Sequence, residues 1–275
     1  MNEREFDFTD KDFKRVQKIV YDFAGIDLND SKNNLVYNRL AKRIRFLGQT
    51  NFNEYLNYVE KQGESEFIHL INSITTNLTF FFRENHHFEY LENTVIPELL
   101  KRNTATKKIR FWSAGCSTGE EPYSLAIVLK ENVPSGWDAK VIATDLDSNV
   151  VNTGLTGVYK IDRLKGVSDE RKNRWFRKGE GSKAGLVKIK PELQDMIEFG
   201  QLNLMNDWPF KETFDVIFCR NVVIYFDKPT QGKLFNRYAD LLPLGGHLFV
   251  GHSESLYKVC DRFELLGQTI YKKIK

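Results

Sequence analysis

The chain has 275 residues, 41% hydrophobic and 28% charged, with a formal net charge of +3. That composition excludes a disordered chain or a fibrous repeat, and so small a charge does not by itself mark a nucleic-acid binder. Apolar runs such as FDVIFC and HLFVG are too short to span a bilayer, the charged start lacks a signal-peptide core, and three cysteines at 116, 219 and 260 have no metal or disulfide spacing. A soluble, reduced, cytoplasmic protein is expected.

The first ninety residues read as helices. Thr9 with Asp12 forms a capping-box pattern, after which Phe13, Val16, Val20 and Phe23 share one helical face before Gly25. Ser31 is the expected cap of a second helix, with Val36, Leu40, Ile44 and Leu47 as its stripe and Gly48 as its stop. Two shorter helices follow, around Tyr55, Leu56 and Val59 and around Phe67, Ile71 and Ile74, broken at Gln62-Gly63. The expectation is a helical domain over 1–90, with a basic helix at about 31–47. Lys32, Arg39, Lys42, Arg43 and Arg45 have no acidic residue among them in sequence, which points to a polyanionic or acidic protein partner.

From residue 109 the rhythm changes. IRFWSA, KVIATD, FDVIFC and HLFVG read as strands separated by helical stretches, and Phe263 to Ile274 reads as an antiparallel hairpin. Strand–helix alternation implies an α/β doubly wound, Rossmann-like sheet over 91–275, with its ligand site at the carboxyl ends of the strands. Residues 157–195 break the alternation and are expected to form an inserted excursion, rich in Lys and Arg.

The segment Ser113-Ala114-Gly115-Cys116-Ser117-Thr118-Gly119-Glu120-Glu121-Pro122 is a strand, a glycine turn and a helix start. Such a turn lets backbone approach a ligand, yet two acidic residues at the helix start would repel a phosphate, so a cationic or zwitterionic ligand fits better. Asp145, closing the next strand, is of a type that can take both hydroxyls of a ribose, and an Asp in this place is also a common loop or cap residue. Together they point to an adenosine-containing ligand without phosphates, S-adenosylmethionine (SAM) being the obvious candidate.

Residues 77–84, NLTFFFRE, resemble the NxTxFFR segment of the chemotaxis receptor methyltransferases, the CheR family. WSAGCSTGEEPYSLA from Trp112, Ala143 to Asp147, FDVIFCRNVVIYF from Phe214, Gly245-Gly246 and Gly251 to Glu254 resemble its further motifs, in the family's order over residues 10 to 270. The resemblance implies a SAM-dependent Rossmann-like methyltransferase domain with a small antiparallel β-subdomain insertion, preceded by an all-helical domain. It implies methylation of glutamate side chains on chemoreceptors, releasing S-adenosylhomocysteine (SAH), by a monomer recruited to membrane receptor arrays. Cofactor contacts map onto Asn77, Thr79, Arg83, Glu120 or Glu121 (Glu120 being favoured), Asp145, Asn203, Leu204, Arg220 and Asn221. Arg83 and Tyr225 are the expected catalytic residues, and no metal is expected. Arg39, Lys42, Arg43 and Arg45 are the expected receptor-binding residues, and in some members the β-subdomain docks a receptor C-terminal peptide.

Simpler roles are expected for other residues: Phe80, Phe81 and Phe82 as packing, His86, His87 and His252 as non-catalytic, Cys219 as core, and Cys116 as partly accessible. The competing readings are a non-catalytic SAM-binding adaptor and a methyltransferase for another substrate.

Overall fold

The computed structural model describes residues 4–75 and 77–275, and the elements below belong to those residues. The chain divides into two compact units, one of residues 1–76 with 225–230, the other of residues 77–224 with 231–275. The boundary expected at residue 90 therefore falls earlier, and residues 77–90 belong to the second unit.

In the first unit, α1 (Asp10–Ala24), α2 (Asn33–Phe46), α3 (Phe52–Gln62) and α4 (Glu64–Ile74) enclose a core of Val16, Val20, Leu40, Ile44, Phe52, Leu56 and Leu70. The capping box of α1 is present in both directions between Thr9 and Asp12, and Gly25 ends the helix in the left-handed region. Ser31 does not cap α2. A short 3-10 turn over Asp30–Lys32 precedes the helix, and the Ser31 hydroxyl turns back to Asn29 Oδ1. Residues 225–230 complete this unit: Phe226 bridges Ile26, the Asp27 N–H donates to the Tyr225 carbonyl at 2.8 Å, and the Tyr21 hydroxyl donates to Asp227 at 2.9 Å.

The basic surface of α2 is less bare than its sequence suggests. Arg43 forms a two-point ion pair with Glu66, whose side chain is 4% exposed, and Arg45 pairs with Glu5. Arg39 donates to the carbonyls of Ile74 and Thr75, each at 2.6 Å, while Lys42 is exposed.

The second unit opens with α5 (His86–Tyr90) and α6 (Ile96–Arg102) and continues as an α/β layer. Its strands are β1 (Lys108–Ala114), β2 (Asp138–Asp145), β3 (Val158–Lys160), β4 (Phe176–Lys178), β5 (Leu186–Ile189), β6 (Ile197–Gln201), β7 (Val216–Cys219), β8 (His247–Val250), β9 (Phe263–Gly267) and β10 (Ile270–Lys273). The main sheet has the order β6-β2-β1-β7-β8-β10-β9, with β10 antiparallel to both neighbours. Its helices are α7 (Glu120–Asn132), α8 (Ser148–Thr156) and α11 (Lys228–Asp240), with α9 (Asp169–Trp175) and α10 (Pro191–Gln194) in and beside the insertion. The insertion carries its own antiparallel sheet, β3-β5-β4, as expected. β6 lacks a clean alternating pattern and is not evident in the sequence; it pairs with β2 along the sheet edge. The chain reverses its winding between β1 and β7, so the crevice outside their carboxyl ends is where such a sheet accepts a ligand.

Candidate functional site

The turn after β1 is shaped by glycine. Gly115 has φ +89°, and a Cβ there would lie 2.4 Å from Val222 Cγ2; Gly119, at φ +96°, starts α7 against the backbone of Gly154. The amides of Gly115 and Cys116 both donate to the Thr144 carbonyl, fastening the turn to the end of β2. Cys116 is 1% exposed, so the partial accessibility expected of it is corrected: the turn folds its thiol inward and burial raises its pKa.

Asp145 ends β2 facing this turn. Its carboxylate accepts from the amides of Ser117 at 2.8 Å and Asp147 at 3.0 Å, yet burial outweighs these bonds and pushes its pKa up to about 6. Asn77 donates to Asp147 at 3.0 Å, which places the start of the NLTFFFRE segment against the cap of α8. The Thr79 carbonyl accepts from Arg163 at 2.9 Å, and Arg163 Nη1 lies 3.5 Å from Glu120 Oε1.

The two acidic residues of the helix start diverge. Glu120 is fully buried and takes a bond from the Thr118 hydroxyl, leaving Oε1 without a hydrogen-bond donor among the described residues. Glu121 is bonded by the Ser113 hydroxyl at 2.7 Å and lies 3.4 Å from Arg220. Burial raises the pKa of both, with Thr118 countering it chiefly at Glu120 and Arg220 at Glu121.

Arg220, just past β7, is the hub. Its side chain is 2% exposed and lies 3.4 Å from Glu84 and 3.4 Å from Glu121, while Nη2 donates to the Arg83 carbonyl. Its Nε and Nη1 have no hydrogen-bond partner among the described residues. Glu84 also accepts from His252 Nδ1 at 3.0 Å; burial raises its pKa, but Arg220, His252 and His87 together hold it below the ordinary carboxylate value. Arg83 donates to the Leu78 carbonyl at 2.9 Å. Behind Arg220, Glu254 accepts from the amides of Asn221, Gly251 and Ile224, bracing the loop that presents Arg220 and Asn221. Phe82, Glu84, Ser117 and Asn221 all have positive φ. This clustering of uncommon backbone at one site is what a ligand-shaping region shows.

The loop after β6 adds Asn203 and Leu204. The Leu202 amide donates to the Asp145 carbonyl at 2.9 Å, and Asn203 Oδ1 accepts from the Met205 amide at 3.0 Å. The second unit thus gathers Asn77, Thr79, Arg83, Glu120, Glu121, Asp145, Asn203, Leu204, Arg220 and Asn221 around the carboxyl ends of β1, β2, β6 and β7. Tyr225 is grouped with the first unit and is 36% exposed. Phe81 and Phe82 are core residues, whereas Phe80 is 45% exposed. Glu84, Glu254, Ser113 and Arg163 carry structural charge and hydrogen bonding here that sequence reasoning did not assign; the GHSE motif was the available signal for Glu254.

Residues 11–75 match the family model described as CheR methyltransferase, all-alpha domain, and residues 77–272 match CheR methyltransferase, SAM binding domain. The chain belongs to the CheR methyltransferase family. It is 43% identical over 258 residues to a probable chemotaxis protein methyltransferase of Rhizobium etli, covering 92% of this chain and 96% of the relative. It is 42% identical to the chemotaxis protein methyltransferase of Escherichia coli, covering 96% and 91%, and 42% identical to chemotaxis protein methyltransferase 2 of Pseudomonas aeruginosa, covering 98% and 95%. The expected CheR architecture, a helical domain followed by a SAM-binding Rossmann-like domain with an antiparallel insertion, is therefore present, and SAM-dependent methylation in chemotaxis is its class of function.

The CheR site fits SAM on its own chemistry. By group type, the guanidinium of Arg220 and the amide of Asn221 suit a ligand's carboxylate end, and the carboxylates of Glu120 and Asp145 suit a cationic group and a ribose diol. Glu84, His86 and His87 offer ligand atoms within 4.8 Å of one another, a spacing a metal ion could use. Arg220 already brings positive charge to Glu84, which opposes a cation there.

Proposed function

We propose that the protein is a protein-glutamate O-methyltransferase that uses SAM to convert glutamate side chains of chemoreceptor cytoplasmic helices to methyl esters, releasing SAH. The observation that carries this reading is Arg220, just past β7 and buried between Glu84 and Glu121, at the same end of the sheet as the glycine turn after β1 and Asp145 closing β2. SAM, when bound, supplies an activated methyl group. The chain's own work is placement. Asp145 holds the ribose hydroxyls, Asn203 and Leu204 border the adenine, Asn77 and Thr79 line the turn, and Arg220, Asn221 and Glu120 fix the amino-acid end. Glu120 is preferred over Glu121 because Glu121 is committed to Ser113 and Arg220.

Arg83 and Tyr225 are assigned to the incoming glutamate: the guanidinium offers a planar fork to a carboxylate, and the phenol donates without adding charge. No general base is required, because a glutamate with a reference pKa of about 4.3 is already an anion near neutrality. Alignment of the two reacting groups in a water-poor site then supplies the rate. The exposed cations of α2, Lys42 and Arg45 foremost, face an acidic receptor surface in this reading. The edges of the small sheet, β3 and β4, are the strands that would accept a receptor C-terminal peptide. The protein works as a cytoplasmic monomer recruited to receptor arrays and needs no metal.

The test is calorimetric titration with SAM and SAH, followed by methyl transfer to a purified receptor cytoplasmic fragment, scored as base-labile ester. Micromolar binding that is lost in Asp145→Ala, with transfer abolished in an Arg83→Ala variant that still binds SAH, is the expected result. SAH binding without transfer would favour a SAM-binding adaptor, and transfer to another acceptor would sink the receptor assignment.

A further inference from the structure

The loop after β6 has no helix of its own, yet its turn is fixed by one side chain from elsewhere. Arg237 on α11 donates through Nη1 to the Leu204 carbonyl at 2.6 Å and through Nη2 to the Asn206 carbonyl at 2.5 Å. The same guanidinium lies 3.8 Å from the centre of the Trp208 ring, and Trp208 Nε1 donates to the Leu204 carbonyl at 3.3 Å. Trp208 stacks on Tyr238 at 5.2 Å, and Trp112 packs edge-on against both. Trp112 in turn donates to the Thr144 hydroxyl at 2.9 Å, one residue before Asp145. The turn carrying Asn203 and Leu204 is thereby tied to the strand carrying Asp145 by a layer of Arg237, Trp208, Tyr238 and Trp112.

We propose that Arg237 is a positioning residue for the nucleoside half of SAM, holding the Leu204–Asn206 turn at the separation from Asp145 that an adenosine spans. This rests on the SAM reading given above. Arg237 touches no atom expected to react, and it acts through the two carbonyls and the indole. A lysine cannot replace it, because a point charge lacks both the planar two-carbonyl fork and the flat face that stacks on Trp208.

The decisive experiment titrates the full chain and its Arg237→Lys and Arg237→Gln variants with SAH and with 5′-methylthioadenosine, which lacks the amino-acid end. Both variants are expected to lose about tenfold for both ligands, with KM for SAM rising by the same factor and kcat at saturating SAM within about twofold. Unchanged affinity, or a loss confined to SAH, overturns the proposal. If the wild-type chain binds neither ligand, the SAM reading fails, whereas the clamp is judged by hydrogen exchange at the Met205 and Asn206 amides. Faster exchange in Arg237→Lys supports the clamp and unchanged exchange overturns it; the same readout decides where the wild type binds SAH but not the fragment. Should the Arg237 variants not fold, Trp208→Phe keeps an aromatic face, though a smaller one, and removes the N–H: weaker SAH binding supports the proposal and unaltered binding overturns it.

Discussion

Both units hold arginines in ion pairs, but one arginine of the second is held unlike those of the first. In the helical unit the partners are complete: Arg15 pairs with Glu60, Arg43 with Glu66 and Arg45 with Glu5. In the SAM-binding unit Arg220 is more deeply enclosed than any of these and stands 3.4 Å from each of two carboxylates, its Nε and Nη1 making no hydrogen bond among the described residues. A buried charge left partly unsatisfied costs free energy, so it persists where something outside the fold completes it. Two of the first kind join helices, Arg15 to Glu60 and Arg43 to Glu66, whereas Arg220 is the one proposed as a ligand socket.

The sharpest way to break this contrast is to remove one partner on each side. Glu66→Ala strands Arg43 beside a buried void and is expected to cost about 3 kcal/mol in denaturant unfolding, with SAH affinity unchanged. Arg220→Ala is expected to weaken SAH binding at least about a hundredfold, in excess of any change in the unfolding midpoint. If the two variants lose stability alike and SAH binding alike, the contrast is void.

Acid sharpens it next. Burial lowers the pKa of His87 and of His247 to about 4, so both are neutral in the native fold and ordinary in the unfolded chain. Stability from these groups is full above the unfolded value of 6.5 and is lost as pH falls toward 4, by roughly 3 kcal/mol each. Asp145 acts oppositely: its raised pKa makes the apo fold relatively more stable in acid, a contribution lost as pH rises through about 6. His247→Phe, which puts a ring among Tyr90 and Phe249, should flatten the acid limb of a melting-temperature profile between pH 6.5 and 4.

Binding follows Asp145 with its own sign. If the ionised form accepts the ribose hydroxyls as proposed, SAH affinity should be constant above pH 7 and fall about tenfold per unit below the pKa of about 6. Calorimetry from pH 5 to 8 checks this, and a flat profile would detach Asp145 from the ligand. The smallest effect is at the surface: Arg45→Ala, removing an exposed pair with Glu5, should leave the unfolding midpoint unmoved while lowering the rate of receptor methylation at low salt.

What could be read in the sequence was local. The Thr9–Asp12 box, the Gly25 stop and the glycine turn after β1 each depend on residues a few positions apart, and each is present. Ser31 failed as a cap because a 3-10 turn takes up Asp30–Lys32 first. The acid-free stretch of α2 was misleading for a different reason: Glu66 and Glu5 neutralise Arg43 and Arg45 from 23 and 40 positions away. β6 escaped because an edge strand reading IEFGQ carries a charge and a glycine where a buried strand would be apolar. Asp145 and the acidic pair Glu120-Glu121 were legible from strand–turn–helix chemistry; the other candidate cofactor residues were legible only as family motifs. The roles of Glu84, Glu254 and Arg237 lie in partners such as His252, Asn221 and Leu204, which no linear pattern connects to them.

The return of residues 225–230 to the helical unit has a practical corollary for dissection. Phe226 is 8% exposed, and the Asp27 amide finds its acceptor in Tyr225. Scissors at residue 76 would therefore yield two damaged fragments, one with an apolar notch beside Ile26 and the other trailing an orphaned loop that bears Phe226. A stand-alone helical module would have to be recombinant in a stricter sense, with the hexapeptide grafted back through a linker. Likewise, a stand-alone catalytic module would need that loop rewritten with polar residues.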